Sequence, residues 1–334
     1  MKLDADLNLV ASDAHCAVYV DRQTKDATIV GAPLQRAPES DLIVLGDNLE
    51  VISTLPPEMF RLIYIDPPFN TGRQQARQTI KTVRSTTGDR VGFKGQKYET
   101  IKGKLTSYDD DFDDYWGFLE PRLEEAWRLL AVDGTLYLHL DYREVHYAKV
   151  LLDALFGREC FLNEIIWAYD YGARAKKKWP AKHDNILVYV KDPSKYFFDS
   201  ESVDREPYMA PGLVTPEKVA RGKLPTDVWW HTIVSPNGKE KTGYPTQKPE
   251  GVIRRMVQAS SQPGDWLLDF FAGSGTLGAV AQALDRRFVL VDESSEAFEV
   301  MSHRLAEAPP LGTSTRSLSW EEVKTVSGQR DWWS

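Results

Sequence analysis

Six short apolar segments constrain the fold that this chain can adopt. Each is rich in β-branched or aromatic residues and ends at a small or turn-forming residue, as buried parallel strands commonly do. They lie at residues 42–45, 62–65, 135–140, 186–190, 266–271 and 288–291. Helical patterns of apolar residues separate several of them, at residues 115–130, 146–156, 249–260, 277–284 and 294–305. This alternation predicts an α/β fold built on a doubly wound, mostly parallel sheet.

Two long stretches interrupt the alternation. Residues 73–107 carry nine lysine or arginine residues against two acidic ones, and we predict a mobile basic loop there because the stretch is longer than an ordinary connection. Residues 169–244 are rich in proline, lysine and aromatic residues, and we predict an inserted recognition region. The predicted organisation is an N-terminal part of one domain at 1–168, the insert at 169–244, the rest of the domain at 245–310 and a tail at 311–334.

The composition narrows the class of protein. With 334 residues, of which 42% are hydrophobic and 27% charged, the chain can bury a large core. The net charge of -8 argues against a uniformly basic surface, so any contact with nucleic acid must depend on local charge. Cys16 and Cys160 have no second cysteine or histidine at ligand spacing, so we expect neither a disulfide nor a metal site. Neither a secretion signal nor a membrane span is evident, and we expect a cytoplasmic location.

The sharpest motif is an apolar strand that delivers an acid, two prolines and an aromatic ring. It reads Leu62-Ile63-Tyr64-Ile65-Asp66-Pro67-Pro68-Phe69-Asn70. The prolines fix φ and lack N–H groups, so the turn is stiff and presents carbonyl oxygens without competing donors. Asp66 and the carbonyl of Pro67 can hold the two hydrogens of an aromatic amine, while Phe69 can stack on a base. The plainer interpretation is a rigid turn with a capping aspartate and a core phenylalanine.

A second motif joins a strand to a helix through a glycine turn. It reads Asp269-Phe270-Phe271-Ala272-Gly273-Ser274-Gly275-Thr276-Leu277-Gly278, and its glycines permit a close backbone approach to a nucleotide-like ligand. Asp292 follows the next strand and can accept hydrogen bonds from ribose hydroxyls. The motif alone suits NAD as well as S-adenosylmethionine. The sequence after Gly278 is too short for the second half-sheet that a dinucleotide needs, so a mononucleotide-sized cofactor fits better.

At these motifs the sequence resembles the amino-methylating DNA methyltransferases of the permuted β group. The resemblance is greatest to the adenine-specific kind, which includes modification subunits of type III restriction systems. It covers roughly residues 42–305. Its markers, in chain order, are Leu45-Gly46-Asp47-Asn48-Leu49-Glu50-Val51, Asp66-Pro67-Pro68-Phe69-Asn70-Thr71-Gly72, Tyr244-Pro245-Thr246-Gln247-Lys248-Pro249 and Phe270-Phe271-Ala272-Gly273-Ser274-Gly275-Thr276.

The resemblance implies a circularly permuted class I methyltransferase fold, with the target-recognition region at 169–244. The catalytic residues would be Asp66, Pro67, Pro68 and Phe69, which hold a base turned out of the duplex. Residues for S-adenosylmethionine would be Asp47, Asp269, Phe271, Gly273, Ser274, Gly275, Thr276, Asp292, Thr246, Gln247 and Lys248. The family more usually has Glu at the ribose position, so either acid of Asp292-Glu293 can serve there. We further expect the catalytic and glycine strands to be neighbours in the sheet, because ligands bind where such strands end.

The expected partner is double-stranded DNA. The residues assigned to it are Arg73, Arg77, Lys94, Lys97, Arg174, Lys176, Lys177, Lys178 and Lys182. The resemblance also suggests a restriction endonuclease as a second partner, a homodimer, and a bacterial cytoplasmic location at the nucleoid.

Three alternatives stay open at this point. Methylation of N4 of cytosine uses the same amine chemistry, although enzymes of that kind often have Ser in place of Asp66. A nicotinamide-dependent oxidoreductase would use the glycine turn differently, and a silent DNA-binding module would keep the fold alone. Among single residues, Asp47-Asn48 can be a simple helix cap, and residues 109–114 a solvated helix start.

Overall fold

The computed structural model describes residue 38 and residues 41–70, 114–170, 175–235 and 238–307, together with the strands 17–21, 27–30, 75–84, 90–91 and 97–108. The chain divides into two compact units. The first comprises Met1–Pro67 and Trp116–Ser334, and the second comprises Pro68–Tyr115. Cys16 and residues 109–113 lie outside the described residues.

The helices and strands alternate along most of the chain. In order they are β1 (Ala17–Asp21), β2 (Ala27–Val30), β3 (Leu42–Leu45), α1 (Asn48–Ser53), β4 (Phe60–Ile65), β5 (Gln75–Arg84), β6 (Arg90–Val91), β7 (Lys97–Tyr108), α2 (Tyr115–Leu129), β8 (Leu130–Leu140), α3 (Val145–Phe156), β9 (Phe161–Ala168), β10 (His183–Val190), α4 (Pro216–Arg221), β11 (Val228–Trp230), α5 (Glu250–Ser260), β12 (Trp266–Asp269), α6 (Thr276–Ala283), β13 (Arg287–Asp292) and α7 (Ser295–Glu307).

Ten strands of the first unit form one mixed sheet in the order β11-β9-β10-β8-β4-β12-β13-β3-β1-β2. Strands β3, β13, β12, β4 and β8 run parallel to one another. Strand β10 is antiparallel to both of its neighbours, β8 and β9. The five parallel strands therefore end at one edge of the sheet, where α/β proteins hold their ligands.

The expected contact between the two motifs is present. Strand β4 pairs with β12 in parallel, with Leu62 opposite Leu267 and Ile63 opposite Leu268. All four side chains are fully buried, which explains why both segments read as continuous apolar runs rather than alternating ones. The prediction that these strands are neighbours is confirmed.

The described residues of the basic stretch at 73–107 form strands, so the prediction of a loop is wrong for them. The second unit holds a three-stranded antiparallel sheet in the order β5-β7-β6, with Gln75 opposite Tyr108 and Arg84 opposite Tyr98. A strand of mostly polar composition lacks the apolar alternation by which a strand is recognised in a sequence.

The region predicted as an insert contributes to the main sheet. Its range, 169–244, contains β10, whose residues are buried between β8 and β9, and it contains β11 at one edge of the sheet. Between Lys191 and α5, the described residues form α4, β11 and a single turn of 3-10 helix at Pro211–Leu213. A recognition role for this region stays a prediction.

Within the described ranges, every helix falls short of the length and apolarity that spanning a bilayer requires. In the same part of the chain, no group of His, Cys, Asp and Glu side chains is arranged to hold a metal ion.

Candidate active site

Five aspartates mark the ends of the five adjacent parallel strands. They are Asp47 after β3, Asp292 at the end of β13, Asp269 at the end of β12, Asp66 after β4 and Asp141 after β8. Such an edge is strongly acidic, because parallel strands bring their ends together although the residues are far apart in the chain. It suits a ligand that carries positive charge.

Asp66 has two different carboxylate oxygens. Its Oδ2 accepts a hydrogen bond from the ammonium of Lys248, and these two side chains are only 16% and 10% exposed. Its Oδ1 is buried and has no hydrogen-bond partner among the described residues. Nδ1 of His139 lies 4.0 Å from this oxygen. A buried acceptor without a donor is costly, which indicates that Oδ1 is kept for a donor on a ligand.

A buried polar network continues behind Asp66. The hydroxyl of Tyr64 lies 2.9 Å from Nδ1 of His139, and Nε2 of His139 lies 3.3 Å from Oδ2 of Asp184. The hydroxyl of Tyr169 donates to Oδ1 of Asp184 at 2.9 Å. His139 is completely buried, and the ring of Trp167 packs edge-on against it at 5.6 Å between centroids.

Two groups of this network have shifted pKa values. Burial, and then the charge of Asp66, raises the pKa of the Tyr64 hydroxyl well above its ordinary value, so this group stays a donor. Burial alone would raise the pKa of Asp184, but hydrogen bonds from His139 and Tyr169 and the charge of Lys248 lower it below its ordinary value. Asp184 is therefore a carboxylate near neutral pH.

The glycine turn after β12 is held by Asp292. Gly273 and Gly275 have φ values of 50° and 70°, which are easy for glycine and strained for other residues. Oδ2 of Asp292 accepts from the N–H of Gly273 at 2.8 Å, and its Oδ1 accepts from the N–H of Ser294 at 2.9 Å. Burial raises the pKa of Asp292 to about 6, although the two backbone donors act in the opposite direction.

Asp269 is the most deeply placed acid of the edge. Its Oδ1 accepts from the N–H of Phe271 at 3.0 Å. Burial raises the pKa of its carboxyl well above the ordinary value, and the charges of Asp66 and Asp292 raise it further. A cation placed among these three carboxyl groups would relieve their mutual repulsion.

An arginine that the motifs do not contain supports the turn from α7. Nη1 of Arg304 donates to the carbonyl of Ser274 at 3.0 Å and to Oγ1 of Thr276 at 3.1 Å. Its Nη2 contacts Glu250 of α5 at 2.7 Å, and the side chain is 9% exposed. Arg304 therefore ties three helices to the glycine turn.

Asp47 caps α1, in agreement with the interpretation of Asp47-Asn48 as a helix cap. Its Oδ1 accepts from the N–H of Glu50 at 3.0 Å, and its Oδ2 lies 3.3 Å from Nη2 of Arg122. The buried Arg122 also donates to Oδ1 of Asn48, and its guanidinium lies 3.9 Å from the ring centroid of Phe118. Phe118 in turn contacts Phe271, with 6.0 Å between ring centroids.

The segment before α5 connects the two motifs. Thr246 has a positive φ of 53°, Oε1 of Gln247 accepts from the N–H and the hydroxyl of Thr242, and Lys248 reaches Asp66. The carbonyl of Lys248 accepts from Oγ1 of Thr276 at 3.2 Å. The three residues assigned to a cofactor, Thr246, Gln247 and Lys248, are thus fixed between β4 and the glycine turn, and their contact with a cofactor stays a prediction.

The β9–β10 connection carries exposed positive charge. Lys176, Lys177 and Lys178 are exposed, and the neighbouring Trp179 is 95% exposed. Nζ of Lys178 lies 5.6 Å from the ring centroid of Tyr142, which follows the carboxyl end of β8. In this β9–β10 connection, Lys178 therefore lies at the same edge of the sheet as Asp66.

The other predicted DNA contacts are less informative. Lys182 donates to the carbonyl of Asp170 at 2.5 Å. Arg77 and Lys97 belong to β5 and β7, and Arg73, Lys94 and Arg174 lie outside the described residues.

Among the catalytic candidates, Pro67 is buried at the end of the first unit, whereas Pro68 and Phe69 belong to the second unit.

Three residues of the site were missed in the sequence. Arg122, His139 and Arg304 are buried charged or polar side chains whose partners lie far away in the chain. One signal was available, because His139 interrupts the apolar run of β8. A polar residue inside a buried strand needs a partner, but the sequence does not say which one.

Known proteins resemble this chain over most of its length. The family model named N6_N4_Mtase, described as "DNA methylase", matches residues 60–303. "Type II methyltransferase M.HpaI" of Haemophilus parainfluenzae is 30% identical over 79% of this chain and 73% of that protein. "DNA adenine methyltransferase YhdJ" of Escherichia coli (strain K12) is 29% identical over 82% of this chain and 85% of that protein.

A solved structure shares the fold. The crystal structure of the M1.HpyAVI-SAM complex gives a TM-score of 0.50 at 20% identity, and the match covers 79% of this chain and 98% of that chain. The predicted fold class is thereby confirmed, whereas the circular permutation stays a prediction.

Proposed function

This chain belongs to the N6/N4 DNA methylase family, and from that premise we propose that it transfers a methyl group from S-adenosylmethionine to N6 of adenine. The target would be a base turned out of a specific site in double-stranded DNA. Turning a base out of the stack costs a few kcal/mol, which contacts to the phosphate backbone and to the flipped base must offset.

The observation that carries the proposal is the buried Oδ1 of Asp66. The lone pair of an aromatic amine is delocalised into the ring, so the nitrogen is a weak nucleophile until acceptors hold its hydrogens out of the ring plane. Oδ1 is an acceptor without a donor among the described residues, and the carbonyl of the buried Pro67 is a second acceptor on a stiff turn. Preorganised acceptors of this kind can supply much of a rate enhancement.

The acidic edge fits S-adenosylmethionine. When bound, this cofactor supplies an electrophilic methyl group on a sulfonium, and it also carries an ammonium group. The charges of Asp66 and Asp292 raise the pKa of the buried Asp269 carboxyl beyond the effect of burial, and an acidic edge of this kind favours a cationic ligand and disfavours the pyrophosphate of NAD. We assign Asp269 to the ammonium group, Phe271 to one face of the adenine ring, and the turn at Gly273 to Thr276 to close backbone contact. This assignment weighs against the oxidoreductase alternative.

Glu293 is the better candidate for the ribose hydroxyls. Both oxygens of Asp292 already accept backbone N–H groups, whereas the neighbouring Glu293 is exposed. Asp292 would then shape the turn, and Glu293 would accept the hydroxyl hydrogens. This assignment selects one of the two acids, Asp292 and Glu293, between which the sequence left the choice open.

Two observations favour adenine over cytosine. The acid Asp66 occupies the position at which cytosine-N4 enzymes often have serine, and one relative at 29% identity is named a DNA adenine methyltransferase. The family model covers both kinds, so methylation of N4 of cytosine is the second candidate.

For DNA contact we propose the β9–β10 connection, since its exposed lysines lie at the catalytic edge. Support for a restriction partner comes from the type II relative. The homodimer and the bacterial nucleoid location stay predictions.

The base is identified by product analysis. The purified protein is incubated with S-adenosylmethionine and unmethylated genomic DNA, and the digested nucleosides are quantified by mass spectrometry. We expect N6-methyl-2′-deoxyadenosine, a loss of activity of about 100-fold or more with Asp66→Asn, and parental activity with the control Asp192→Asn at the opposite edge. N4-methyl-2′-deoxycytidine as the product would replace adenine by cytosine, and the absence of any methylated nucleoside would favour the silent module.

A further inference from the structure

Resting on the proposed use of S-adenosylmethionine, we infer that Arg122 of α2 is a positioning residue for the nucleoside half of this cofactor. Arg122 belongs to neither of the two motifs. It acts through Asp47, Asn48 and Phe118, and its effect is on the binding of adenine and ribose rather than on the binding of the methionine end.

The guanidinium of Arg122 joins the start of α1 to α2. Its Nε donates to Oδ1 of Asn48 at 2.5 Å, its Nη1 donates to the carbonyl of Phe118 at 2.7 Å, and its Nη2 lies 3.3 Å from Oδ2 of Asp47. Arg122 is only 8% exposed. A planar guanidinium bonded through three nitrogens has a fixed orientation, so it fixes the start of α1 against α2.

Two contacts transmit this order to Phe271, which we assign to the adenine ring. Nδ2 of Asn48 donates to the carbonyl of Phe270 at 2.8 Å, which fixes the backbone directly before Phe271. The guanidinium of Arg122 lies 3.9 Å from the ring centroid of Phe118, and the rings of Phe118 and Phe271 are 6.0 Å apart. The backbone before Phe271 and the ring of Phe271 are thus both supported from Arg122.

Two acids of the nucleoside side lie within electrostatic reach of Arg122. Burial lowers the pKa of its guanidinium from the ordinary value, whereas the charges of Asp47 and Glu293 act in the opposite direction. These acids follow β3 and β13, which are paired strands with Leu45 opposite Asp292. A cation beside two neighbouring carboxylates offsets their repulsion, so Arg122 helps to hold both acids where a nucleoside would meet them.

Other cations support the methionine end of the site. Lys248 pairs with Asp66 after β4, and Arg304 bonds to the carbonyl of Ser274 in the glycine turn. The ion pair of Arg122 with Asp47 lies instead at the end of β3, two strands away from β12. The effect of Arg122 should therefore be separable from that of the residues around Asp269.

Arg128, a second arginine of α2, provides a matched control. Its Nη1 and Nη2 donate to the carbonyls of Leu55 and Ile52 at 2.9 Å and 3.0 Å, so it also joins α2 to α1. These carbonyls lie at the carboxyl end of α1, whereas Asp47 caps its amino end. Removal of Arg128 should loosen the same two helices without disturbing the nucleoside side.

Calorimetric titration with two ligands tests the inference. S-adenosylmethionine carries both halves, whereas 5′-deoxy-5′-methylthioadenosine carries the nucleoside and lacks the amino acid part. The variants are Arg122→Met, Arg122→Lys and the control Arg128→Met, together with Asp269→Asn for the methionine end. The melting temperature of each variant reports on its fold.

We expect Arg122→Met to weaken the binding of both ligands by the same factor, about 10-fold, because the hydrogen bonds of a charged donor are lost. Arg122→Lys should also weaken both, since an ammonium cannot reproduce the planar fork and its contact with the Phe118 ring. Arg128→Met should bind both ligands with parental affinity even where its melting temperature falls. Asp269→Asn should weaken S-adenosylmethionine alone, because the nucleoside has no ammonium group.

Two results overturn the inference. One is parental affinity of Arg122→Met for methylthioadenosine, and the other is equal weakening of that ligand in Arg122→Met and Arg128→Met, because Arg122 would then only hold the two helices together. If Arg122→Met does not fold, Arg122→Lys decides by the same two criteria. A parent that binds neither ligand contradicts the proposed function instead.

Discussion

Lys248 and Asp66 are 182 positions apart in the chain and form a buried ion pair at the carboxyl end of β4. The pair links the catalytic strand to the segment that leads into α5, and it fixes which oxygen of Asp66 is left for a ligand. Breaking a buried pair by removing one partner leaves an uncompensated charge, which typically costs about 3 to 5 kcal/mol.

Removing the ammonium should therefore destabilise the protein. We expect Lys248→Met to lower the free energy of unfolding by about 3 kcal/mol, measured by urea denaturation. The double variant Lys248→Met/Asp66→Asn should recover part of that loss, because the carboxylate left without its partner is gone. If the two substitutions instead destabilise additively, the pair does not couple the two segments.

Glycine is required at position 275 for two reasons. Its φ is 70°, and a Cβ there would lie 2.8 Å from Cγ of Met301. We expect Gly275→Ala to lower the free energy of unfolding by about 2 to 4 kcal/mol and to weaken S-adenosylmethionine binding, measured by calorimetry. Gly243→Ala is the matched control, since Gly243 has a φ of 92° and nothing within 4 Å of its Cβ. Equal effects of both substitutions would mean that packing against Met301 is unimportant.

The exposed lysines of the β9–β10 connection should set the salt dependence of DNA binding. Each phosphate contact contributes about 0.9 to the slope of log affinity against log salt concentration. We expect the triple variant Lys176→Ala/Lys177→Ala/Lys178→Ala to reduce that slope by about 2 to 3 in fluorescence-anisotropy titrations. Lys195→Ala is the control, because Lys195 follows β10 at the opposite edge and pairs with Asp192. An unchanged slope in the triple variant would remove this connection from the DNA contact.

Asp292 should make stability depend on pH between about 4 and 6. Its pKa rises from 3.8 to about 6 on folding because of burial, so the folded state holds a proton that the unfolded state releases. The resulting stabilisation is complete below pH about 4 and is lost as the pH rises through about 6, roughly 3 kcal/mol in total. Urea denaturation at several pH values should show this loss in the parent relative to Asp292→Asn. Parallel pH profiles of the two proteins would contradict it.

Local patterns in the sequence were sufficient for the parallel strands and for the position of the site. Strand β3 begins and ends at the predicted residues, because a buried parallel strand is apolar throughout and a turn-forming residue follows it. Asp66, Asp269 and Asp292 could be placed at one edge for the same reason, since each stands directly at the end of such a run. The pairing of β4 with β12 could be expected because a base and its methyl donor must meet where the two strands end.

Long-range polar contacts were beyond such reasoning. Arg122 and Asn48 are 74 positions apart, and the bonds of Arg304 to the glycine turn span about 30 positions. No periodicity in the sequence marks these pairs, because a single polar residue on a helix can face solvent as well as a buried partner. The hairpin of β5 and β7 was missed because its polar composition hid the alternation of a strand. Strand β9, in contrast, has Ile165 and Trp167 buried in alternation, and that pattern was available in the sequence.

The place of β12 and β13 in the sheet has a consequence for biosynthesis. These two strands fill the gap between β4 and β3, so everything made before residue 266 leaves two groups of strands without a bridge. Contacts between distant parts of a chain form slowly, and here the bridging ones come from segments that are synthesised long after β3 and β4. Nascent chains should therefore expose the unpaired edges of β4 and β3 until β12 and β13 have left the ribosome.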